Sequence, residues 1–305
     1  MGDTLIRIGI IGYGNLGKAL EKELKKDNSF HLETIFSRRS LGNDIEKANN
    51  VFQYKNKIDI LINACGSRND LEWMSPILGM HFNVIDSFDT HQKASNHFNI
   101  MDKIGKNTGH LNLVSAGWDP GLLSIFRIIN KSILRHNSKT CWGPGISEGH
   151  SAAIRNIKGV IDAIEITIPD KESLEQVMLG MDKKINHQRV CYVAANKDFE
   201  SRIKEEIQSM ENYFKGYDTT VIFEDLERIK EKKEKLFHKG LVISKDSHNE
   251  IIEKVTMEDN SFFTAKVILA SAKALFKMSK NRIGAITMLD IPPSFYLDDN
   301  IFTFL

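Results

Sequence analysis

The sequence predicts an α/β chain in which a doubly wound parallel sheet comes first and an α+β domain with a mixed sheet follows. Three observations carry that expectation. Short apolar runs alternate with helix-forming segments from residue 6 to about residue 115, and strands separated by a helix run parallel. The first apolar run leads straight into Gly12-Tyr13-Gly14-Asn15-Leu16-Gly17, a G-x-G-x-x-G turn followed by the helical run 18–24. Beyond residue 121 the pattern becomes α+β, and glycine and proline crowd into residues 141–151.

The glycine turn has a specific physical logic. The first glycine allows the tight turn, the second lets backbone approach a pyrophosphate, and the third lets the helix pack closely on the strand. Backbone N–H groups at the new helix start face the phosphates, where the helix dipole favours an anion. This predicts a Rossmann-type dinucleotide domain with Gly12, Tyr13, Gly14, Asn15, Leu16 and Gly17 at the cofactor. A second strand over 31–36 ends in Phe36-Ser37-Arg38-Arg39. An NAD enzyme usually places Asp or Glu there for the ribose hydroxyl. Two guanidinium groups and a hydroxyl suit a 2′-phosphate instead, so Ser37, Arg38 and Arg39 predict NADP.

A third strand covers 58–64, followed by a helix over 70–80, a strand over 82–86, a helix over 92–106 and a strand over 111–115. Ligands in doubly wound sheets lie beyond the carboxyl ends of the strands. That makes Ala64, Cys65, Gly66 and Ser67 candidates, then Ser87, Phe88 and Asp89, then Ala116, Gly117, Trp118, Asp119 and Pro120. Cys65 reads as a small buried residue, because nothing adjacent in sequence would lower its pKa.

Gly117 to Gly121 suits a loop passing close to a ligand and leads into a helix over 122–135, with Pro120 near its first turn. Cys141-Trp142-Gly143-Pro144-Gly145-Ile146-Ser147-Glu148-Gly149-His150-Ser151 combines glycine turns, a Trp and a helix start. So much glycine is costly for a purely structural loop, which predicts a binding surface. Strands follow at 163–169, 189–195, 219–223, 240–244 and 250–257, with helices at 171–179, 198–209 and up to 235. A long helix over 262–278 is expected to return to the first domain, so the domains read as 1–120 with 261–305, and 121–260.

Composition narrows the partners. Lys and Arg number 41 against 40 Asp and Glu, and nothing in that balance calls for nucleic acid or an acidic membrane. Three scattered cysteines without a C-x-x-C pair predict neither a disulfide framework nor a metal site. No apolar run has membrane-spanning length, and a cytoplasmic location is expected.

Gly-Tyr-Gly-Asn-Leu-Gly at 12–17, Phe-Ser-Arg-Arg at 36–39, Gly-Trp-Asp-Pro-Gly at 117–121, Trp-Gly-Pro-Gly at 142–145 and Gly-His-Ser at 149–151 form an ordered set. With His187-Gln188-Arg189-Val190-Cys191 and Glu258-Asp259-Asn260, it closely resembles the meso-diaminopimelate dehydrogenases over nearly the whole chain. The resemblance implies oxidative deamination of the D-centre of meso-2,6-diaminopimelate with NADP, in a homodimer, serving lysine and cell-wall synthesis. It places Asp89 and Asp119 at the amino group that is lost, and Thr167, Arg189 and His238 at the far, L-configured end. Trp142 and Gly149 would line the reacting end and Asn260 would bind substrate polar groups. Glu148 departs from the family pattern, which has Gln there. An ionised glutamate would repel a substrate carboxylate, so it either stays protonated or turns toward an ammonium group, Arg155 or His150. The general base is Asp119 or His150. Two other readings stand beside this one: an NADP-dependent dehydrogenase of another D-amino acid, and a non-catalytic NADP sensor.

Overall fold

The computed structural model describes residues 5–42, 45–66, 70–211, 213–235, 237–297 and 301–304. Ser67, a cofactor candidate, lies outside them. In chain order the elements are β1 (Ile6–Ile11), α1 (Asn15–Leu24), β2 (Phe30–Ser37), β3 (Ile45–Lys47), β4 (Ile60–Asn63), α2 (Leu71–Gly79), β5 (Asn83–Asp86), α3 (Ala94–Thr108), β6 (Leu111–Leu113) and α4 (Leu123–Leu134). Then come β7 (Lys139–Trp142), β8 (Gly145–Ile146), α5 (Glu148–Arg155), β9 (Val160–Pro169), α6 (Lys171–Met178), β10 (His187–Ala195), α7 (Glu200–Ser209), β11 (Asp218–Phe223), α8 (Leu226–Lys235), β12 (His238–Lys245) and β13 (Glu250–Met257). α9 (Asn260–Met278) and β14 (Gly284–Ile286) complete the set.

The chain divides into two compact units, 1–125 with 261–305, and 126–260. In the first, seven strands form one parallel sheet in the order β14-β6-β5-β4-β1-β2-β3. Ile8, Ile10, Ile60, Leu61 and Ile62 are fully buried, the near-continuous apolar content of a sheet covered on both faces. β3 and β14 are additions to the strands expected from sequence. Each has only three residues, too few for a period to show, and each exists because a longer neighbour offers it an edge.

Asparagine amides tie this unit together. Asn112 Oδ1 accepts the Val84 N–H at 3.1 Å, Asn83 Oδ1 accepts the Leu111 N–H at 2.9 Å, and Asn63 Nδ2 donates to Ser75 Oγ at 3.2 Å. Such satisfied polar groups specify strand order as apolar contacts cannot. α9 buries Ala265, Ile268, Ala272, Ala274 and Leu275, and its Lys273 pairs with Asp27 at 2.9 Å.

The second unit holds two sheets where the sequence suggested one. β11-β10-β9-β8 is mixed, with β10 and β11 parallel and the other neighbours antiparallel. β13-β12-β7 is antiparallel. Residues 142–145 carry the chain from one sheet to the other, which explains their glycines. A Cβ on Gly143, at φ +89°, would lie 2.1 Å from the Thr167 carbonyl oxygen, and one on Gly145 would lie 2.5 Å from His238 Cα. The flanking strands have four and two residues, so local pattern reads them as loop. Among the described residues no helix is long and apolar enough to cross a membrane.

Candidate functional site

In the first unit the three glycines of the turn separate by role. A Cβ on Gly12, at φ +101°, would meet the Ala64 carbonyl carbon and oxygen at 2.7 Å, and one on Gly17 would meet the Gly12 oxygen at 2.1 Å. Those two glycines pack the turn onto β4 and α1 onto the turn. Gly14 has no atom of the described residues within 4 Å of the place its Cβ would take. Its open side adjoins a cavity of about 380 Å³ lined by Gly12, Tyr13 and Gly14, by Ser37, Arg38 and Arg39, and by Ala64, Cys65 and Gly66, with Ile11, Ala48 and Met74 behind them. Asn15, Leu16 and Gly17 are outside that lining; Asn15 is exposed and Gly17 buried.

The cavity's polar rim is preset. Ser37 Oγ accepts the Arg39 N–H at 3.1 Å, and Arg39 Nη2 donates to the Tyr13 carbonyl at 3.2 Å. Arg38 makes a fork on Asp70, at 2.6 and 3.1 Å, which orients its exposed guanidinium. The Tyr13 hydroxyl donates to Glu21 at 2.5 Å. Burial pushes the Cys65 thiol up to about 11, with the Asp70 charge adding to that and Arg38 opposing it, so the thiol is inert at neutral pH. An open backbone at Gly14, a turn too close-packed for other side chains, and two guanidinium groups at the end of β2 fit a 2′-phosphorylated dinucleotide.

The loops after β5 and β6 are tied by a residue that local pattern did not single out. Asp86 is 1% exposed. Its Oδ1 accepts the N–H groups of Phe88 at 3.2 Å and Ser115 at 3.1 Å, and its Oδ2 lies 2.8 Å from His97 Nε2. His97 also stacks on Phe88, with ring centroids 4.1 Å apart. Asp86 therefore pins together the segments that continue into Asp89, which is exposed, and Asp119, which is half-buried. Ser87, Phe88, Ala116, Gly117, Trp118 and Pro120 accompany them and do not line the glycine-turn cavity. Pro120 is not in a helical turn as the sequence suggested. Asp119, Pro120 and Gly121 have non-helical backbone, Gly121 at φ +127°, and α4 begins at Leu123. The helix starts late because a Cβ at Gly121 would meet Met288 Sδ at 2.7 Å and the loop needs its positive φ.

In the second unit, Thr167 and Arg189 are register partners on β9 and β10, and Gly145 faces Thr167 from β8. Arg189 Nη1 donates to Thr167 Oγ1 at 2.5 Å, its guanidinium stacks over the Tyr217 ring at 4.8 Å, and its Nε is buried without a hydrogen-bond partner among the described residues. Glu165, fully buried, joins this pair. It accepts from Thr167 Oγ1 at 3.0 and 3.1 Å and from Arg189 Nη1 at 3.4 Å. Burial pushes its carboxyl up to about 7, against the opposing pull of Arg189 and Thr167. Glu165 carried no sequence signal, since a lone Glu in an apolar strand reads as a face change.

Trp142 is 36% exposed. Its backbone N–H donates to His187 Nε2 at 3.1 Å and its ring lies 5.4 Å from the His187 ring. Accepting that bond requires a neutral His187, and burial accordingly holds it down to about 4. His238, 6% exposed, is likewise lowered to about 4 by burial. His150 Nδ1 lies 2.5 Å from Ser147 Oγ and 4.0 Å from Glu165 Oε2. Glu148 turns to Arg155 at 2.9 Å, and Arg155 also donates to the Ala163 carbonyl at 2.9 Å. Of the alternatives open for Glu148, pairing with a neighbouring cation is the one observed. Gly149 is exposed with open space where a Cβ would lie, and Asn260 is half-buried at the start of α9.

Comparison with known proteins follows the same lines. Residues 117–259 match the family profile described as the diaminopimelic acid dehydrogenase C-terminal domain. The meso-diaminopimelate D-dehydrogenase of Ureibacillus thermosphaericus is 37% identical over 306 residues, covering 94% of each chain. That of Corynebacterium glutamicum is 33% identical over 311 residues, covering 98% of this chain and 97% of its own. Among solved structures, C. glutamicum diaminopimelate dehydrogenase in complex with diaminopimelate superposes with a TM-score of 0.92 at 30% identity, covering 99% of this chain and 98% of that one. An engineered D-amino acid dehydrogenase bound to NADP+ gives a TM-score of 0.91 at 30% identity, covering 98% of both chains. Full-length similarity of this degree, on a glycine-turn sheet followed by the two-sheet unit described above, means that the chain belongs to the meso-diaminopimelate D-dehydrogenase family.

Proposed function

We propose that this protein is an NADP-dependent dehydrogenase of meso-2,6-diaminopimelate. With NADP and water it oxidises the D-centre to L-2-amino-6-oxopimelate, which cyclises to tetrahydrodipicolinate, and releases ammonia, NADPH and a proton reversibly. The pair of Arg189 and Thr167 carries the reading. A guanidinium with a buried, unpartnered Nε, held in fixed geometry, is a receptor for a carboxylate, in a chain 37% identical to an enzyme of this name.

Gly12 and Gly14 with the start of α1 would hold the pyrophosphate, and Ser37, Arg38 and Arg39 the 2′-phosphate. NADP, when bound, supplies the acceptor for the hydride leaving the D-centre. Asp89 and Asp119 would take the ammonium group and orient its Cα–H, the positioning that makes transfer effectively unimolecular. Arg189, Thr167 and His238 would hold the L-end carboxylate, which distinguishes two chemically identical ends by geometry. Trp142 and Gly149 would bound the reacting end, and Asn260 would add a polar contact. Asp119 or His150 would accept the proton that leaves before hydride transfer. Glu148, neutralised by Arg155 at 2.9 Å, would not repel a substrate carboxylate as a free anion would. The protein would act as a homodimer in the cytoplasm, in lysine and cell-wall synthesis.

The test is reduction of NADP, followed by absorbance, with meso-diaminopimelate beside the L,L isomer, D-lysine and D-alanine, and again with NAD. Turnover confined to the meso isomer with NADP is expected. Turnover of a simple D-amino acid alone would reassign the substrate, and NADPH binding without any turnover would indicate a sensor. Sedimentation at micromolar concentration tests the dimer, and a monomeric active species would refute it.

A further inference from the structure

We propose that Glu165 is a positioning residue for the carboxylate receptor formed by Thr167 and Arg189, and that the proton it gains or loses sets how strongly that receptor attracts an anion. The inference rests on the function proposed above and adds to it a residue that touches the receptor from behind.

The hydrogen-bond polarity of the cluster is determined by elementary chemistry. Arg189 can only donate, so at 2.5 Å Thr167 Oγ1 must accept from it. The single proton of Thr167 then points to Glu165, whose two oxygens lie at 3.0 and 3.1 Å. With Glu165 ionised, the hydroxyl has no proton left for a substrate, and the Arg189 charge is already compensated by a carboxylate at 3.4 Å. A protonated Glu165 reverses both conditions. It donates its own O–H to Thr167 Oγ1, which frees the Thr167 proton, and it leaves the guanidinium charge to the incoming anion.

The backbone of Glu165 is fixed. Its N–H donates to Ser151 Oγ at 2.9 Å and its carbonyl accepts the Ser147 N–H at 3.0 Å, so the start of α5 holds the residue from both sides of its peptide. The groups facing its carboxyl are Thr167 on its own strand, Arg189 and Cys191 on β10, and His150 on α5 at 4.0 Å. Burial raises the carboxyl to about 7, which makes both states accessible under working conditions.

Steady-state kinetics of the whole enzyme across pH 6 to 8 tests this. In the wild type, KM for meso-diaminopimelate should rise on the order of 10-fold over that interval beyond any change in kcat, as Glu165 ionises. In Glu165→Gln that rise should disappear, because the amide N–H donates to Thr167 Oγ1 at every pH, as a protonated Glu165 would, without competing for Arg189, while Glu165→Ala, which leaves Thr167 and Arg189 unsupported, should raise KM at all pH values. A Glu165→Gln enzyme with the wild-type pH dependence of KM overturns the proposal. If that variant does not fold, NMR of isotopically labelled glutamate in the wild type decides. Binding of meso-diaminopimelate without NADP must raise the Glu165 midpoint, since coupling is reciprocal, and an unmoved midpoint overturns the proposal. A wild type that binds NADPH but never turns over meso-diaminopimelate refutes the underlying function, a distinguishable result.

Discussion

Replacing the second and third glycines of the turn one at a time should separate folding from cofactor binding. In Gly17→Ala the new Cβ would lie 2.1 Å from the Gly12 oxygen and 3.1 Å from its carbon. Ordinary carbon–oxygen contact begins near ~3.3 Å, so α1 must retreat by about 1.2 Å from a strand whose Ile8 and Ile10 are fully buried. Overpacking on that scale costs about 3 kcal/mol, and the gain in helix propensity from glycine to alanine returns about 1 kcal/mol. The remaining ~2 kcal/mol should lower Tm by about 4–8 °C for a unit of this size. Gly14→Ala has nothing within 4 Å of its Cβ and a backbone at φ −88° that alanine adopts freely. Its Tm without cofactor should stay within about 2 °C of the wild type. NADPH affinity should nevertheless fall at least ~10-fold, because the methyl fills the space through which backbone meets pyrophosphate. Thermal melts without cofactor, paired with NADPH fluorescence titration, provide both numbers. The reasoning fails if Gly14→Ala binds NADPH as the wild type does, or if Gly17→Ala melts with it.

Other perturbations follow from the same contacts. Arg38→Ala with Arg39→Ala should raise KM for NADP by about 100-fold with little change for NAD, two charge-assisted contacts being worth ~3 kcal/mol; equal losses for both cofactors would refute the assignment. Asp86→Ala leaves the Phe88 and Ser115 N–H groups and His97 without their acceptor, so a loss of about 3 kcal/mol in urea melts and at least ~10-fold in kcat is expected. An unchanged kcat would show that Asp86 does not position Asp89 and Asp119. His187 and His238 are held down to about 4, so the unfolded chain binds more protons between pH 4 and 6.5 and stability falls as pH drops through that window. Glu165, raised to about 7, acts in the opposite sense between pH 4.5 and 7. The net loss should be about one histidine's share, ~2 kcal/mol from pH 6.5 to 4.5, and His187→Gln should remove it from urea melts at those two pH values; an unaltered loss would refute the assignment. Cys65, half-buried and raised to about 11, should react with iodoacetamide at pH 8 far more slowly than a free thiol, and a fast rate would refute that upward shift.

What the sequence by itself determined was local. Gly12-Tyr13-Gly14-Asn15-Leu16-Gly17 between an apolar strand and a helical run is legible because each glycine answers a backbone demand within a few residues. That Ser37, Arg38 and Arg39 lie beside the glycine turn is legible because the end of a second parallel strand adjoins the end of the first, and the three do line the same cavity as Gly12 and Gly14. The strand–helix alternation of the first unit announces a parallel sheet for the same reason of short range.

Tertiary structure decided what depends on partners distant in sequence. β3 and β14 are strands only because β2 and β6 offer open edges, and β7 and β8 only because β12 and β9 lie beside them. Asp86 became a clamp when folding brought Ser115 to it across 29 residues, and Glu148 found Arg155 two turns along α5. Glu165 met its partner when β10 delivered Arg189, 24 residues away, to a fully buried carboxyl. A charge or hydrogen bond acquires its energy from the medium and partners around it, and those exist only once the chain has closed on itself.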